Sequence, residues 1–168
     1  RVAAAFGRLV ILQHLCTSKC IEYSNDVEAI HICASAARGG HLETLQWLHE
    51  MGFPWNEITS GAAAYNGHIH ILEWIMANGC PVDDQAIVDA AEGNHLDVLQ
   101  WIHQRNLAPL HLNCCYHAAN HGNLAMLQWL REQGCPWDTR VCRDAAWSGH
   151  LHVLQWAIEH DCPWDESV

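Results

Sequence analysis

Hydrophobic and polar positions recur along the chain in blocks of about 27 residues. In the block that follows Gly40, apolar side chains sweep a broad arc of a helical projection, and Glu43, Gln46 and Glu50 fill the remaining narrow stripe. This pattern predicts a helix that touches neighbours on several sides. A single block cannot supply those neighbours, whereas stacked blocks can. No period-two pattern that would predict strands competes with this interpretation.

The blocks share a frame of several markers. Gly-His-Leu or a close variant begins at Gly40, Gly67, Asn94, Gly122 and Gly149, in steps of 27, 27, 28 and 27 residues. We call these five residues the anchors. Two alanines precede each anchor, a tryptophan follows seven residues after it, and most blocks close on Gly-Cys-Pro or a variant. A weaker copy, Gly7-Arg8-Leu9, lies 33 residues before the first anchor. Agreement at so many positions identifies a repeat protein.

Each repeat unit is predicted to contain two helices. The first carries the alanine pair, as in Thr139–Trp147, and ends at the anchor in a left-handed conformation. The second runs for about ten residues, as in His150–Glu159, and ends at the next glycine, after which proline prevents its continuation. The sequence therefore predicts an all-α solenoid of about six helix pairs, forming a single array over residues 1–168.

The run from Ala36 to Glu43, Ala-Ala-Arg-Gly-Gly-His-Leu-Glu, resembles the two-helix part of ankyrin repeats. The twelve residues from Gly40 to Gly52 also match the family's spacing. The resemblance extends over essentially the whole chain and is strongest to a short-repeat subgroup marked by Leu-Gln-Trp-Leu and Gly-Cys-Pro-Trp. It implies a curved array whose first helices line a concave face, and it gives the anchor histidines His41, His68, His95 and His150 the role of hydrogen-bonding neighbouring turns.

Two departures from the family pattern change the expected structure. The Thr-Pro-Leu-His opening of the first helix is missing, and each unit is about six residues shorter than the usual 33. The missing residues fall where ankyrin repeats carry β-hairpin fingers, so we expect the fingers to be reduced or absent. The 33-residue step after Gly7 leaves room for one longer connection near Lys19–Asp26.

Composition and charge narrow the classes of partner. The formal net charge of −11 disfavours nucleic acid and anionic membrane surfaces, and no apolar run is long enough to span a bilayer. Nine cysteines cannot all pair internally, which favours a reduced, intracellular and cytoplasmic setting.

The chain starts inside the repeat pattern, and Glu166-Ser167-Val168 would begin another first helix. We therefore expect both ends to continue into a longer protein.

The chemistry-bearing residues are explained largely by the repeat frame. Cys33, Cys115 and Cys142 lie seven residues before an anchor, and Cys80, Cys135 and Cys162 occupy the Gly-Cys-Pro position, so we interpret all six as core residues. Cys114, His117 and His121 lie on one helical face, which leaves a metal-binding module as an alternative, although a structural zinc site needs four ligands. No phosphate loop, nucleophile elbow or carboxylate pair is present, so we expect no enzyme activity, no catalytic residue and no cofactor.

Variation within the chain identifies a candidate binding surface. The residue two before each anchor, which we call the variable position, is Arg38, Tyr65, Glu92, Asn120 or Trp147. A position that accepts such different side chains faces solvent. Tyrosine, tryptophan and arginine are also the residues enriched at binding hot spots. The predicted partner-binding residues on the first helices are Arg38, Tyr65, Asn66, Asp89, Glu92, His117, Asn120, His121, Asp144 and Trp147.

The sequence thus predicts a protein–protein interaction module that acts as an adaptor or scaffold segment. A purely architectural subunit of a larger complex is a further alternative. Trp47, Trp74, Trp101, Trp129 and Trp156 share one frame position, which predicts a ladder of tryptophans where adjacent units meet.

Overall fold

Helix pairs make up the fold throughout the described residues. The structure, a computed structural model, describes residues 1–17 and 26–164. The helices are α1 Val2–Ala5, α2 Leu9–Thr17, α3 Asp26–Arg38, α4 Leu42–Glu50, α5 Glu57–Tyr65, α6 Ile69–Ala77, α7 Asp84–Glu92, α8 Leu96–Gln104, α9 Leu112–Asn120, α10 Leu124–Glu132, α11 Thr139–Trp147 and α12 Leu151–Glu159. Odd-numbered helices are the first and even-numbered helices the second of each unit, so six units are present. No strand occurs within these two ranges, and the all-α prediction is confirmed.

Local sequence fixes where the first helices begin. Asn56, Asp83 and Asp138 each accept a hydrogen bond from the backbone N–H two residues later, at distances of 3.0 to 3.1 Å. These bonds satisfy N–H groups that have no partner inside the helix. In α9 the imidazole of His111 caps the helix in the same way, accepting from the N–H of Asn113 at 3.2 Å. Polar side chains therefore define where α5, α7, α9 and α11 begin.

A left-handed residue ends each helix of a typical unit. In the third unit, Gly67 has φ +77° after the first helix and Gly79 has φ +84° after the second. Asn94, Asn106 and Asp161 take the same conformation without being glycine, which asparagine and aspartate tolerate better than other residues. The prediction that the anchors end the first helices is confirmed, and the fourth unit keeps this geometry despite its different sequence.

Small residues allow the first helices to stack closely. Both alanines of each pair from α3 to α9 are fully buried, and the second helices contribute fully buried leucine and isoleucine, such as Leu45, Leu72 and Leu99. Successive first helices approach one another more closely than successive second helices do. The array therefore curves with its first helices on the inner, concave side.

The connections between units are short. They cover residues 51–56, 78–83, 105–111 and 133–138, and all four lack strands. The expected loss of β-hairpin fingers is confirmed there. The longer connection predicted near Lys19–Asp26 and the start of a helix predicted at Glu166 lie largely outside the described residues. None of the described helices has the length and apolar character needed to cross a membrane.

Candidate partner-binding surface

The variable positions form an exposed strip along the concave side. Arg38, Tyr65, Glu92, Asn120 and Trp147 are all exposed, as the sequence predicted. Trp147 exposes 89% of its surface and Tyr65 exposes 44%. The alanine pairs of α3 to α9 and Ala145 of α11 pack in the core, whereas the residue after each pair projects from the same helix into solvent. The strip is thus built by the last turn of every first helix.

Three ionisable residues occupy a second row, five residues before the anchor. Asp89, His117 and Asp144 are partly buried beside the exposed strip. Asp89 accepts a hydrogen bond from Gln85 Nε2 at 2.9 Å, and burial raises the pKa of its carboxyl group, a shift that this bond opposes. One oxygen of Asp144 accepts from Arg143 Nε at 3.3 Å, and the other is buried without a hydrogen-bond partner.

His117 shows how burial acts on this row. Its imidazole packs edge-on against the ring of Tyr116, with 4.8 Å between centroids. Burial lowers the pKa of His117, Glu92 acts in the opposite direction, and His121 lowers it further. The neutral imidazole, which can both donate and accept a hydrogen bond, is thereby favoured on this part of the surface.

Three other predicted binding residues are hydrogen-bonded inside the molecule, Asn66 within its own unit and Asn120 and His121 to a neighbouring unit. Asn66 Nδ2 donates to the carbonyl of Ala62 at 2.8 Å, and Asn120 Nδ2 donates to Ser148 Oγ at 3.2 Å. The imidazole of His121 is hydrogen-bonded to the carbonyl oxygen of Glu92 at 2.8 Å. These side chains already have partners inside the molecule, so the strip's variable aromatic and charged residues are better placed for an external contact.

Anchor histidines connect neighbouring units through the backbone. Nε2 of His41, His68 and His150 is hydrogen-bonded to a carbonyl oxygen of the preceding unit at 2.9 to 3.1 Å. The acceptor is the residue two before the preceding anchor in each case. His95 follows the same geometry, since a Cβ on Gly67 would lie 2.6 Å from its ring. The turn-bridging role implied by the resemblance is confirmed for the three bonded histidines.

A second row of bridging histidines, which the repeat frame did not predict, lies on the second helices. His70 and His152 are hydrogen-bonded through Nε2 to the carbonyl oxygens of Gly40 and Gly122, at 3.3 and 3.1 Å. Both lie three residues after an anchor, a spacing visible in the sequence. Only the second helix's orientation, however, shows that the imidazole reaches backward to the preceding turn.

The metal-binding alternative is not supported by the geometry. Cys114 is fully buried, and its thiol donates to the carbonyl of Ile87 at 3.8 Å. The imidazole of His121 instead lies at the surface, where it is hydrogen-bonded to the backbone carbonyl of Glu92. The shared helical face of Cys114, His117 and His121 therefore does not become a shared site. Across residues 1–17 and 26–164, no group of three or more histidine, cysteine, aspartate or glutamate side chains is arranged to hold a metal ion.

The six frame cysteines are core residues, as predicted. The thiols of Cys80, Cys135 and Cys162 donate to the carbonyl of the residue that caps their own unit's first helix, at 3.3 to 3.6 Å. This bond explains why cysteine recurs in a position that the sequence analysis assigned to apolar packing alone. Burial raises the pKa of the Cys80 and Cys162 thiols to about 12, so both are held in the protonated form that the bond requires.

The tryptophans meet at the seam between units, but a direct ladder is not what connects them. Trp74 packs edge-on against Trp55 of the preceding unit, with 5.5 Å between ring centroids, and Trp156 does so against Trp137 at 6.0 Å. Trp129 meets His103 of the preceding unit in the same manner at 5.6 Å. The predicted location at the seam is confirmed for these three tryptophans, but the ring that each one meets in the preceding unit is not that unit's frame tryptophan.

Comparisons with known proteins agree with this architecture. A family model described as ankyrin repeats in many copies matches residues 30–76. Among solved structures, the chain is similar to the human ASB11 ankyrin repeat domain, with a TM-score of 0.69 and 17% sequence identity over 96% of this chain and 82% of that one. The comparison with curated protein sequences found no match. The α3–α6 region is thus identified as ankyrin repeats by sequence, and the fold of the whole array is that of an ankyrin-repeat domain.

Proposed function

We propose that this ankyrin-repeat array binds another protein through the concave surface of its first helices, as an adaptor or scaffold segment of a larger assembly. Repeat arrays of this kind present extended concave surfaces because each unit is rotated slightly relative to the last. The short connections provide no projecting fingers, so the first helices themselves carry the contact surface.

The exposure of Trp147 is the observation that carries this proposal. Trp147 exposes 89% of its surface, and no residue of its own unit covers it. Leaving so much apolar surface in water is unfavourable in free energy. Tyr65 occupies the equivalent position three units earlier and is also exposed. Tyrosine and tryptophan give a large contact area for few rotatable bonds, which is why they are enriched among residues that dominate binding energy.

Recognition through this surface requires shape and charge complementarity and no chemical step. Arg38 and Glu92 lie on the same strip as the two aromatic residues and carry opposite charges. They would set the register of a bound chain by favouring one placement and opposing its shifted alternatives. The packed alanines beneath the strip keep it rigid, so little ordering free energy is lost on binding.

The experiment begins with proteins that co-purify with the full-length protein and are identified by mass spectrometry. Calorimetric titration of such a partner should show that Tyr65→Ala and Trp147→Ala each weaken binding by about 1–2 kcal/mol or more. Thermal melts of both variants should match the parent. Substitution of Gln100, Gln128 and Gln155 by alanine, on the second helices, is the matched control and should leave binding unchanged. Loss of binding only in the glutamine variants would place the interface on the convex side and contradict the proposal.

A further inference from the structure

A cavity of about 280 Å³ opens on the concave surface between the first helices α3, α5 and α7. We propose that it receives the side chain of an arginine or lysine from the partner protein, with the positive charge placed at Asp89. This inference rests on the proposed function, and it specifies the chemistry that the third and fourth units recognise.

Gly61 makes room for the carboxylate of Asp89 at the base of this cavity. A Cβ built on Gly61 would lie 2.3 Å from Asp89 Oδ2, so the carboxylate rests directly on the glycine. The same position in the other units holds a residue with a side chain: Ala34, Val88, Tyr116 and Arg143. Glycine inside a helix is unfavourable for stability compared with alanine. The third unit is therefore the one among these five whose first helix makes room for a carboxylate of the following unit.

The charge around the cavity is unbalanced. Glu57, Asp83 and Asp89 supply three carboxylates, and Arg38 supplies one guanidinium. None of these four residues takes part in an ion pair within the described part of the chain. The carboxylate of Asp89 is partly withdrawn from water, and burial raises its pKa, so a cation bound beside it would favour its ionised form.

The remaining walls suit an aliphatic stem with a charged end. Ile58 and Ala62 line the cavity on α5, and the exposed ring of Tyr65 forms the adjoining wall. Arginine and lysine bury their methylene groups along such apolar surface while the charged group remains at a polar end. A guanidinium can also pack over the tyrosine ring. Arg38, on the preceding helix, repels a second cation and so directs the charged end towards Asp89 on the following one.

A small probe tests the cavity without knowledge of the partner. The 168-residue chain, labelled with ¹⁵N, is titrated with the tripeptide Ac-Gly-Arg-Gly-NH₂, and Ac-Gly-Gln-Gly-NH₂ serves as the uncharged control. The arginine probe is expected to shift the amide signals of Gly61, Ala62 and Tyr65 in a saturable way. The glutamine probe should bind at least tenfold more weakly. Equal shifts from both probes, or no saturable shift from the arginine probe, would overturn the inference.

Two variants locate the charge. Asp89→Asn keeps the size of the side chain and removes its charge, and it should weaken binding of the arginine probe at least tenfold. Asp97→Asn makes the same chemical change at an exposed carboxylate on the second helix of the same unit, which does not line the cavity, and it should change binding less than twofold. Both variants should retain the parent's spectrum elsewhere. If Asp89→Asn binds the probe as the parent does, the inference is wrong.

The test of the arginine site can fail while the test of the concave interface succeeds, and the reverse is also possible. Trp147 lies on the concave strip but outside the cavity. Partner binding that is lost in Trp147→Ala and retained in Asp89→Asn would support the concave interface and contradict the arginine site. If the arginine probe binds saturably and Trp147→Ala leaves the partner's affinity unchanged, the result would support the arginine site and contradict the assigned interface.

Discussion

The imidazole Nε2 of His121 lies 2.8 Å from the carbonyl oxygen of Glu92 in the preceding unit. In the second, third and sixth units, the equivalent carbonyl is hydrogen-bonded to the histidine directly after the anchor. The fifth unit has Asn123 at that position. Asn123 uses its own side chain differently: Oδ1 accepts from the N–H of Met126, and Nδ2 donates to Asn94 Oδ1. His121 therefore replaces the missing histidine from two residues earlier in the chain.

Removing this bridge should destabilise the array. His121→Ala is expected to lower the free energy of unfolding by about 1 kcal/mol, because one hydrogen bond between units is lost and a carbonyl loses its partner. Urea unfolding followed by circular dichroism measures the change. Glu92→Ala is the control, since the acceptor is a backbone oxygen, and it should have little effect. Equal midpoints for His121→Ala and the parent would show that the bridge contributes nothing to stability.

Two glycines of the third unit separate backbone strain from steric contact. Gly67 and Gly79 have nearly equal positive φ values of 77° and 84°. A Cβ on Gly67 would lie 2.6 Å from the ring of His95, whereas a Cβ on Gly79 would meet nothing within 4 Å. In both alanine variants the free energy of unfolding should fall by about 1–2 kcal/mol, because a residue with a Cβ is strained in the left-handed conformation. Gly67→Ala should lose more, because the imidazole of the next unit must move.

The comparison between the two variants is decisive because they share a unit and a conformation. Denaturant midpoints of Gly67→Ala, Gly79→Ala and the parent measure it. If Gly79→Ala is as damaging as Gly67→Ala, backbone strain alone explains both, and the packing of His95 onto the anchor contributes nothing.

The sequence predicts the periodic part of this fold well, for physical reasons. A left-handed anchor, a buried alanine pair and an exposed variable position each follow from one residue's local constraints, which repeat in every unit. That is why the exposure of Tyr65 and Trp147 could be read from variation within a single chain. The first and second helices follow from the same frame.

Features that depend on two units could not be predicted in this way. The space at Gly61 matters only because Asp89, from the following helix, lies against it. The role of His121 depends on which carbonyl its ring reaches, and a view of one helix face placed it wrongly with Cys114 as a potential ligand. The tryptophan seam has the same origin: the frame position gives the location of each tryptophan, while the residue that it contacts, such as Trp55 or His103, belongs to the preceding unit.

Trp101 provides the sharpest test of that seam. It is the most buried of the five frame tryptophans, with 8% of its surface exposed, and its Nε1 donates to Glu73 of the preceding unit at 3.3 Å. The guanidinium of Arg105 lies 4.3 Å above its ring and 3.5 Å from the same carboxylate. Trp101→Ala removes the packing, the hydrogen bond and the cation–π contact together.

The expected loss for Trp101→Ala is about 3–5 kcal/mol of unfolding free energy, the range for large aromatic residues in well-packed sites. Trp147→Ala removes the same side chain from an exposed position, so its unfolding free energy should stay within about 0.5 kcal/mol of the parent. Trp101→Phe should recover part of the packing, but it cannot donate to Glu73. In chemical denaturation, the free energy of unfolding should therefore be highest for Trp147→Ala, lower for Trp101→Phe and lowest for Trp101→Ala. A loss below about 1 kcal/mol for Trp101→Ala would contradict its burial at the seam, because truncation of a surface residue has an effect of that size.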